Sequence, residues 1–133
     1  MYALRSTIVI PTESLDHYCS NRGLRPVNFI KADVEGYELE LLHGAERILR
    51  EDRPRLFLEC VDGYHGKVSL ERVLAMLRDL DYEGFSFPKE RMRPLSDFRV
   101  GYHQWKPFTE RWNIDFAFFP KECDSAIRLV QAA

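Results

Sequence analysis

The chain has 133 residues, about one domain's worth, enough to bury roughly two-thirds of the surface its unfolded form would expose. Hydrophobic residues make up 45% and charged residues 30%, a balance that excludes a disordered or fibrous protein. A net charge of -2, and no apolar run near the roughly 20 residues of a bilayer span, argue against a dedicated nucleic-acid binder and against a membrane protein.

Residues 1–10 carry one Arg and no long apolar stretch ahead of a small-residue cleavage site, so no secretory leader is expected and a cytoplasmic location is the default. Thr7-Ile8-Val9-Ile10, ended by Pro11, reads as a short β-branched strand. Thr12 or Ser14 can cap a helix through Leu15, Tyr18 and Cys19 that Gly23 ends. Residues 27–34 form the next strand. From Tyr37 the period changes: Leu41, Leu42, Ala45, Ile48 and Leu49 recur at three and four, which predicts one amphipathic helix closed by Pro54. A buried strand over 56–60 follows, completing a βαβ unit with parallel strands. Leu70, Val73, Leu74, Leu77 and Leu80 make the stripe of a second helix. Residues 82–87 and 114–119 are the remaining strands, separated by a loop-rich stretch over 88–113, and the tail after Lys121 forms a short helix or frays. The pattern is α/β with a mostly parallel sheet.

Cys19, Cys60 and Cys123 are odd in number and far apart, and His17, His43, His65 and His103 are scattered. Neither set has the paired spacing of a disulfide framework or a zinc site, so free thiols and no metal centre are expected.

Open α/β sheets bind ligands where strands lead into helices. Asp33 and Glu35 follow the first βαβ strand and Glu59 ends the second. Spacing by two puts Asp33 and Glu35 on one face with Lys31, while Gly36 permits a tight turn or a close ligand approach. The competing reading is that these acids only serve the positive end of the next helix. His65, near Asp62 and Glu59, is of the residue type suited to general-base work near neutrality, although a loop histidine is more often simply solvated. The stretch from Lys89 to Arg111 interleaves basic residues with Tyr102, Trp105 and Phe108, a composition that suits stacking on sugars or bases as well as covering a sheet.

Lys31-Ala32-Asp33-Val34-Glu35-Gly36-Tyr37-Glu38, followed by Leu39, Leu42, Gly44 and Ala45, resembles the signature of FkbM-type methyltransferases. Ser14-Leu15-Asp16, Arg53-Pro54 with Glu59, and the closing strand to Pro120 are similar to the family's flanking pieces, so the likeness runs over 7–120. The resemblance implies a Rossmann-like class I methyltransferase fold, S-adenosylmethionine as donor, and a sugar or natural-product hydroxyl as small-molecule acceptor. It implies strand order Lys31, Leu56, Ile114, Tyr82, with the Ile114 strand antiparallel. Asp33 and Glu35 become the expected catalytic pair, with Lys31, Gly36, Glu59 and His65 as binding groups. Magnesium on the carboxylates is chemically admissible but no spacing demands it.

By the same resemblance the chain holds the C-terminal portion of the domain. The Gly-rich loop and the ribose-binding acid of the family's earlier strands have no counterpart here, and Gly63-Tyr64-His65-Gly66 is a weak substitute. Three expectations follow. The chain alone binds the donor weakly or not at all. The strand carrying Lys31 is an open edge that residues 7–10 or a second chain must cover. A non-catalytic remnant acting as an interaction module through that edge, with homo-oligomers as one form, is the alternative to an enzyme.

Overall fold

The computed structural model describes residues 8–62, 70–87, 92–99 and 114–123, together with Gln104, Ser125, Ile127 and Arg128. Two-residue alternation of buried and exposed side chains builds its sheet. β1 (Phe29–Ala32) turns Ile30 and Ala32 inward, and β2 (Arg55–Glu59) does the same with Leu56 and Leu58. β3 (Tyr82–Ser86), the two-residue β4 (Arg93–Pro94) and β5 (Asp115–Pro120) complete five strands in the order β1-β2-β5-β3-β4.

The expected neighbours and the reversed direction of the last long strand are both observed. The expected predominance of parallel pairing is not. Only β1 and β2 pair parallel, while β2–β5, β5–β3 and β3–β4 are antiparallel. The reason is the place of β5: it enters between β2 and β3, so two strands that point the same way meet only through one that points the other way. β4 then folds back onto β3. Residues 8–10, expected in a strand, are irregular and exposed, and Thr7 lies outside the described residues. A strand needs a ladder partner, and residues 8–10 pair with no strand of the sheet.

α1 (Leu15–Asn21) starts at Ser14, whose hydroxyl accepts from the His17 N–H at 3.3 Å, and Gly23 takes a left-handed φ of 63° just past its end. The single helix expected from Tyr37 onward is two, α2 (Glu38–His43) and α3 (Glu46–Glu51), broken at Gly44 and Ala45. The break is stabilised from α1. The Asp16 carboxylate accepts from the N–H groups of Arg47 and Ile48, each at 2.9 Å, and the Asp16 N–H donates to the Gly44 carbonyl at 2.8 Å. A cap borrowed from another helix satisfies the free amides of α3 without altering the apolar period, so periodicity alone reads straight through it.

α4 (Leu70–Asp79) buries Leu70, Val73 and Leu77. These join Leu42, Ile48 and Leu49 over the sheet face formed by Leu56, Leu58, Phe116 and Phe118. Two arginines close the layers. Arg25 binds Asp52 at 2.5 Å, and the same carboxylate accepts from the Val27 N–H at 3.0 Å, pinning the approach to β1 against the end of α3. Arg53 donates to the Leu80 carbonyl at 2.6 Å, pairs with Glu122 at 2.6 Å and lies over the Tyr82 ring. Residues just past β5 are therefore held against the start of β3.

Gly84 sits where β3 meets β5 and the turn after β4. A β-carbon there would overlap Leu95 Cδ1 and lie 2.7 Å from Phe118 Cε1. Both neighbours pack against the core, so overpacking has nowhere to relax. Gly84→Ala is expected to destabilise the fold by about 1–3 kcal/mol, read as a lower urea midpoint with an unchanged slope.

Candidate active site

β1 ends at Ala32, and the chain then makes a tight turn into α2. Asp33 and Glu35 thus leave the strand and are brought together by the turn, where simple alternation had placed them on one strand face. Glu35 and Gly36 both take left-handed backbone angles, φ 51° and 94°. For glycine this is free, but for glutamate it is a strained state of the kind that clusters at functional sites.

The turn is held by the last acid of the octet. Glu38 opens α2 with its side chain only 2% exposed. Its Oε1 accepts from the Gly36 N–H at 3.1 Å, and its Oε2 lies 3.9 Å from Cys60 Sγ at the end of β2. Burial pushes the Cys60 thiol up to about 12, with the negative charges of Glu38 and Asp62 adding to it, so this cysteine is a neutral donor and not a nucleophile. Gln104 extends the support: its amide donates to the Cys60 carbonyl at 2.9 Å and accepts from the Asp62 N–H at 2.7 Å.

The turn and the end of β2 meet in a small cleft lined by Asp33, Glu35, Gly36, Glu38, Glu59 and Val61. It has room for little more than a water molecule. The β2–β5 register sets Asp115 directly across from Glu59. Burial raises the Glu59 carboxyl above its ordinary value, and Asp33, Asp115 and Glu35 raise it further against the opposing pull of Lys31. Asp115 is raised by burial and by Asp33, again opposed by Lys31. Four carboxylates and one ammonium therefore share a field at the strand ends, the position where open α/β sheets do chemistry.

Asp33, Glu35, Gly36 and Glu59 line one cleft, while Lys31, expected beside the two acids on one face, reaches them only electrostatically from the exposed side of β1 without lining it. His65 and the Gly63–Gly66 loop lie outside the described residues, as does most of the basic–aromatic stretch. Asp62, its neighbour, caps the next helix by accepting from the Leu70 N–H at 2.8 Å. Sequence reasoning passed over Glu38 and Asp115. Glu38 carried a signal, as the acid closing the octet; Asp115 carried none, since only sheet register brings it to Glu59. Among the described residues no three His, Cys, Asp or Glu side chains are arranged to hold a metal ion, and no helix is long and apolar enough to cross a membrane.

The model of one protein family, described as the methyltransferase FkbM domain, matches residues 2–83. No curated protein and no solved structure matches the chain. The matched span contains α1 through the start of β3, and with it Lys31, Asp33, Glu35, Gly36, Glu38 and Glu59.

A carboxylate with a raised pKa favours the folded state most when protonated, and that contribution is lost as pH rises through the raised value. Glu59→Gln removes the charge that the cluster opposes. Its melting temperature is expected to exceed wild type at pH 7 and to match it near pH 3, where Glu59 is already neutral; scanning calorimetry at both pH values checks this.

Proposed function

This chain belongs to the FkbM methyltransferase domain family, and on that premise we propose that it carries the acceptor-activating part of an S-adenosylmethionine-dependent O-methyltransferase with a Rossmann-like fold. The observation behind this reading is the convergence of Asp33, Glu35 and Glu59 on one cleft at the carboxyl ends of the parallel pair β1 and β2. Methylating a hydroxyl needs its oxygen aimed at the methyl carbon and its proton removed. Asp33 and Glu35, on the strained turn, orient the hydroxyl. Glu59, made a stronger base by burial and by its acidic neighbours, takes the proton, and Lys31 limits the accumulated negative charge. A sugar or natural-product hydroxyl is the acceptor class the family favours.

S-adenosylmethionine would supply an electrophilic methyl on a cationic sulfur. The described residues match that charge, since four carboxylates surround the cleft, but not the ligand's size. A pocket for a molecule this large encloses about 300–1,000 Å³, and the acidic cleft is far smaller than that. We therefore read the chain as the C-terminal portion of a donor site whose remaining walls come from elsewhere.

Two outcomes test this reading. Calorimetry on the 133-residue chain is expected to give a donor affinity weaker than micromolar; micromolar binding abolished by Asp33→Ala would mean that this chain builds a complete site. In a chain that also carries the other donor-binding elements, Asp33→Asn, Glu35→Gln and Glu59→Gln are each expected to lower kcat/KM by about 100-fold or more. Full activity in all three would overturn the roles given to them.

A further inference from the structure

The register of β5 on β2 sets one pair of acids closer than the rest. The Cys60 N–H donates to the Ile114 carbonyl at 2.8 Å, and the register that pairs Leu58 with Phe116 and Glu59 with Asp115 continues through these two residues. Cys60 and Ile114 are therefore a hydrogen-bonded pair. In an antiparallel ladder such pairs alternate with ones that exchange no backbone bond, where the Cα atoms stand only about 4.5 Å apart and the side chains are closest. Glu59 and Asp115 are a pair of that second kind. Directly opposed residues project from one face of the sheet. The two carboxyls thus leave the backbone side by side, on the face opposite the core residues Leu58 and Phe116.

Like charges set directly across a ladder destabilise a sheet. Asp33 and Glu35, in the turn after β1, add negative charge beside Glu59, and Asp33 does the same to Asp115. Lys31 on β1 is the cation that opposes them at both carboxyls. Asp115 itself is half-buried and does not line the cleft, and it lies beyond residues 2–83, the span that the family model matches. Any part it plays in the chemistry passes through Glu59.

We propose, on the base role given to Glu59, that Asp115 is a positioning residue for deprotonation of the acceptor: the two carboxyls together hold the one proton that the hydroxyl gives up. Before the reaction both are ionised and repel each other. The hydroxyl O–H bond then breaks, its electron pair stays on the oxygen, and the proton forms a new O–H bond on Glu59. That acid donates to the Asp115 carboxylate opposite, an O–H···O⁻ bond of the strong, charge-assisted kind. One proton transfer thus exchanges a repulsion for an attraction, and no further reactant is consumed. Two carboxyls this close lose their protons in two steps that belong to the pair and not to either residue. Lys31, working against the acids of the turn, favours the doubly ionised pair from which the reaction starts.

Carbon-13 NMR titration of the side-chain carboxyls in the 133-residue chain tests the pairing without any donor. Glu59 and Asp115 are each expected to respond to both steps. In Asp115→Asn, Glu59 is expected to titrate in a single step at lower pH, and in Glu59→Gln, Asp115 is expected to do the same. Coupling is reciprocal, so the second variant decides should the first not fold. Independent single-step titrations in wild type, or a partner left unmoved in either variant, would overturn the proposal. In a chain that also carries the other donor-binding elements, Asp115→Asn is expected to lower kcat/KM by about 10-fold. Its acidic limb is expected to move to lower pH, because Glu59 loses a neighbour that favours its protonation. A uniform loss at every pH, with the limb in place, would make Asp115 a structural residue and end its part in proton transfer. Full activity in Glu59→Gln would overturn the base role itself, a failure told apart from the others because the titration is read without catalysis.

Discussion

The buried carboxylate of Glu38 is the group on which the site depends. Placing a charge where 2% of it reaches water is costly unless hydrogen bonds meet it, and here the Gly36 N–H and the Cys60 thiol do so. These two partners belong to different elements, the turn after β1 and the end of β2. Satisfying one side chain therefore fixes the distance between them. The left-handed pair Glu35–Gly36 brings the turn's own N–H within reach of Glu38, so the backbone strain at Glu35 is offset by the bond it makes possible. Asp33, Glu35 and Glu59 are held in mutual repulsion around that arrangement.

The repulsion is itself informative. A cluster of like charges weakens a fold unless it does something else, and the rest of this molecule is arranged to tolerate it. Asp52 with Arg25, Glu122 with Arg53 and Asp81 with Lys121 pair acids with bases, and the Arg53 guanidinium holds the Glu122 carboxyl down at about 2. Glu59 and Asp115 are instead raised by burial and by their neighbours. Asp52, Glu122 and Asp81 join elements through paired bases, whereas the carboxyls of Glu59 and Asp115 at the strand ends are raised. That division is the physical case for reading the strand ends as a site.

Most of the fold was legible in the chain. The apolar period found α4 and the helical region after Tyr37, the β-branched and aromatic runs found β1, β2, β3 and β5, and Ser14 and Gly23 bracketed α1. What escaped has one cause in each case. Asp16 caps α3 from some thirty residues away, so the apolar period ran straight through the break at Gly44. Residues 8–10 have strand-like side chains, yet a strand also requires a neighbour. The βαβ rule favours a mostly parallel sheet, and it does not count the antiparallel pairs that β5 makes on both sides once it lies, as the family resemblance implies, between β2 and β3.

The site divides in the same way. The octet from Lys31 to Glu38 supplied the acids, the glycine and the family resemblance, because turn chemistry and charge are written in neighbouring residues. Asp33, Glu35 and Glu59 needed only the βαβ rule to be placed together. The burial of Glu38 and the approach of Asp115 depend on contacts between elements far apart in the chain. Sequence alone thus determined which residues are acidic, where strands turn into helices and which family the turn resembles, since each of these is local. Tertiary structure alone decided which acid is buried and which are raised in pKa, because dielectric and proximity exist only after distant segments have met.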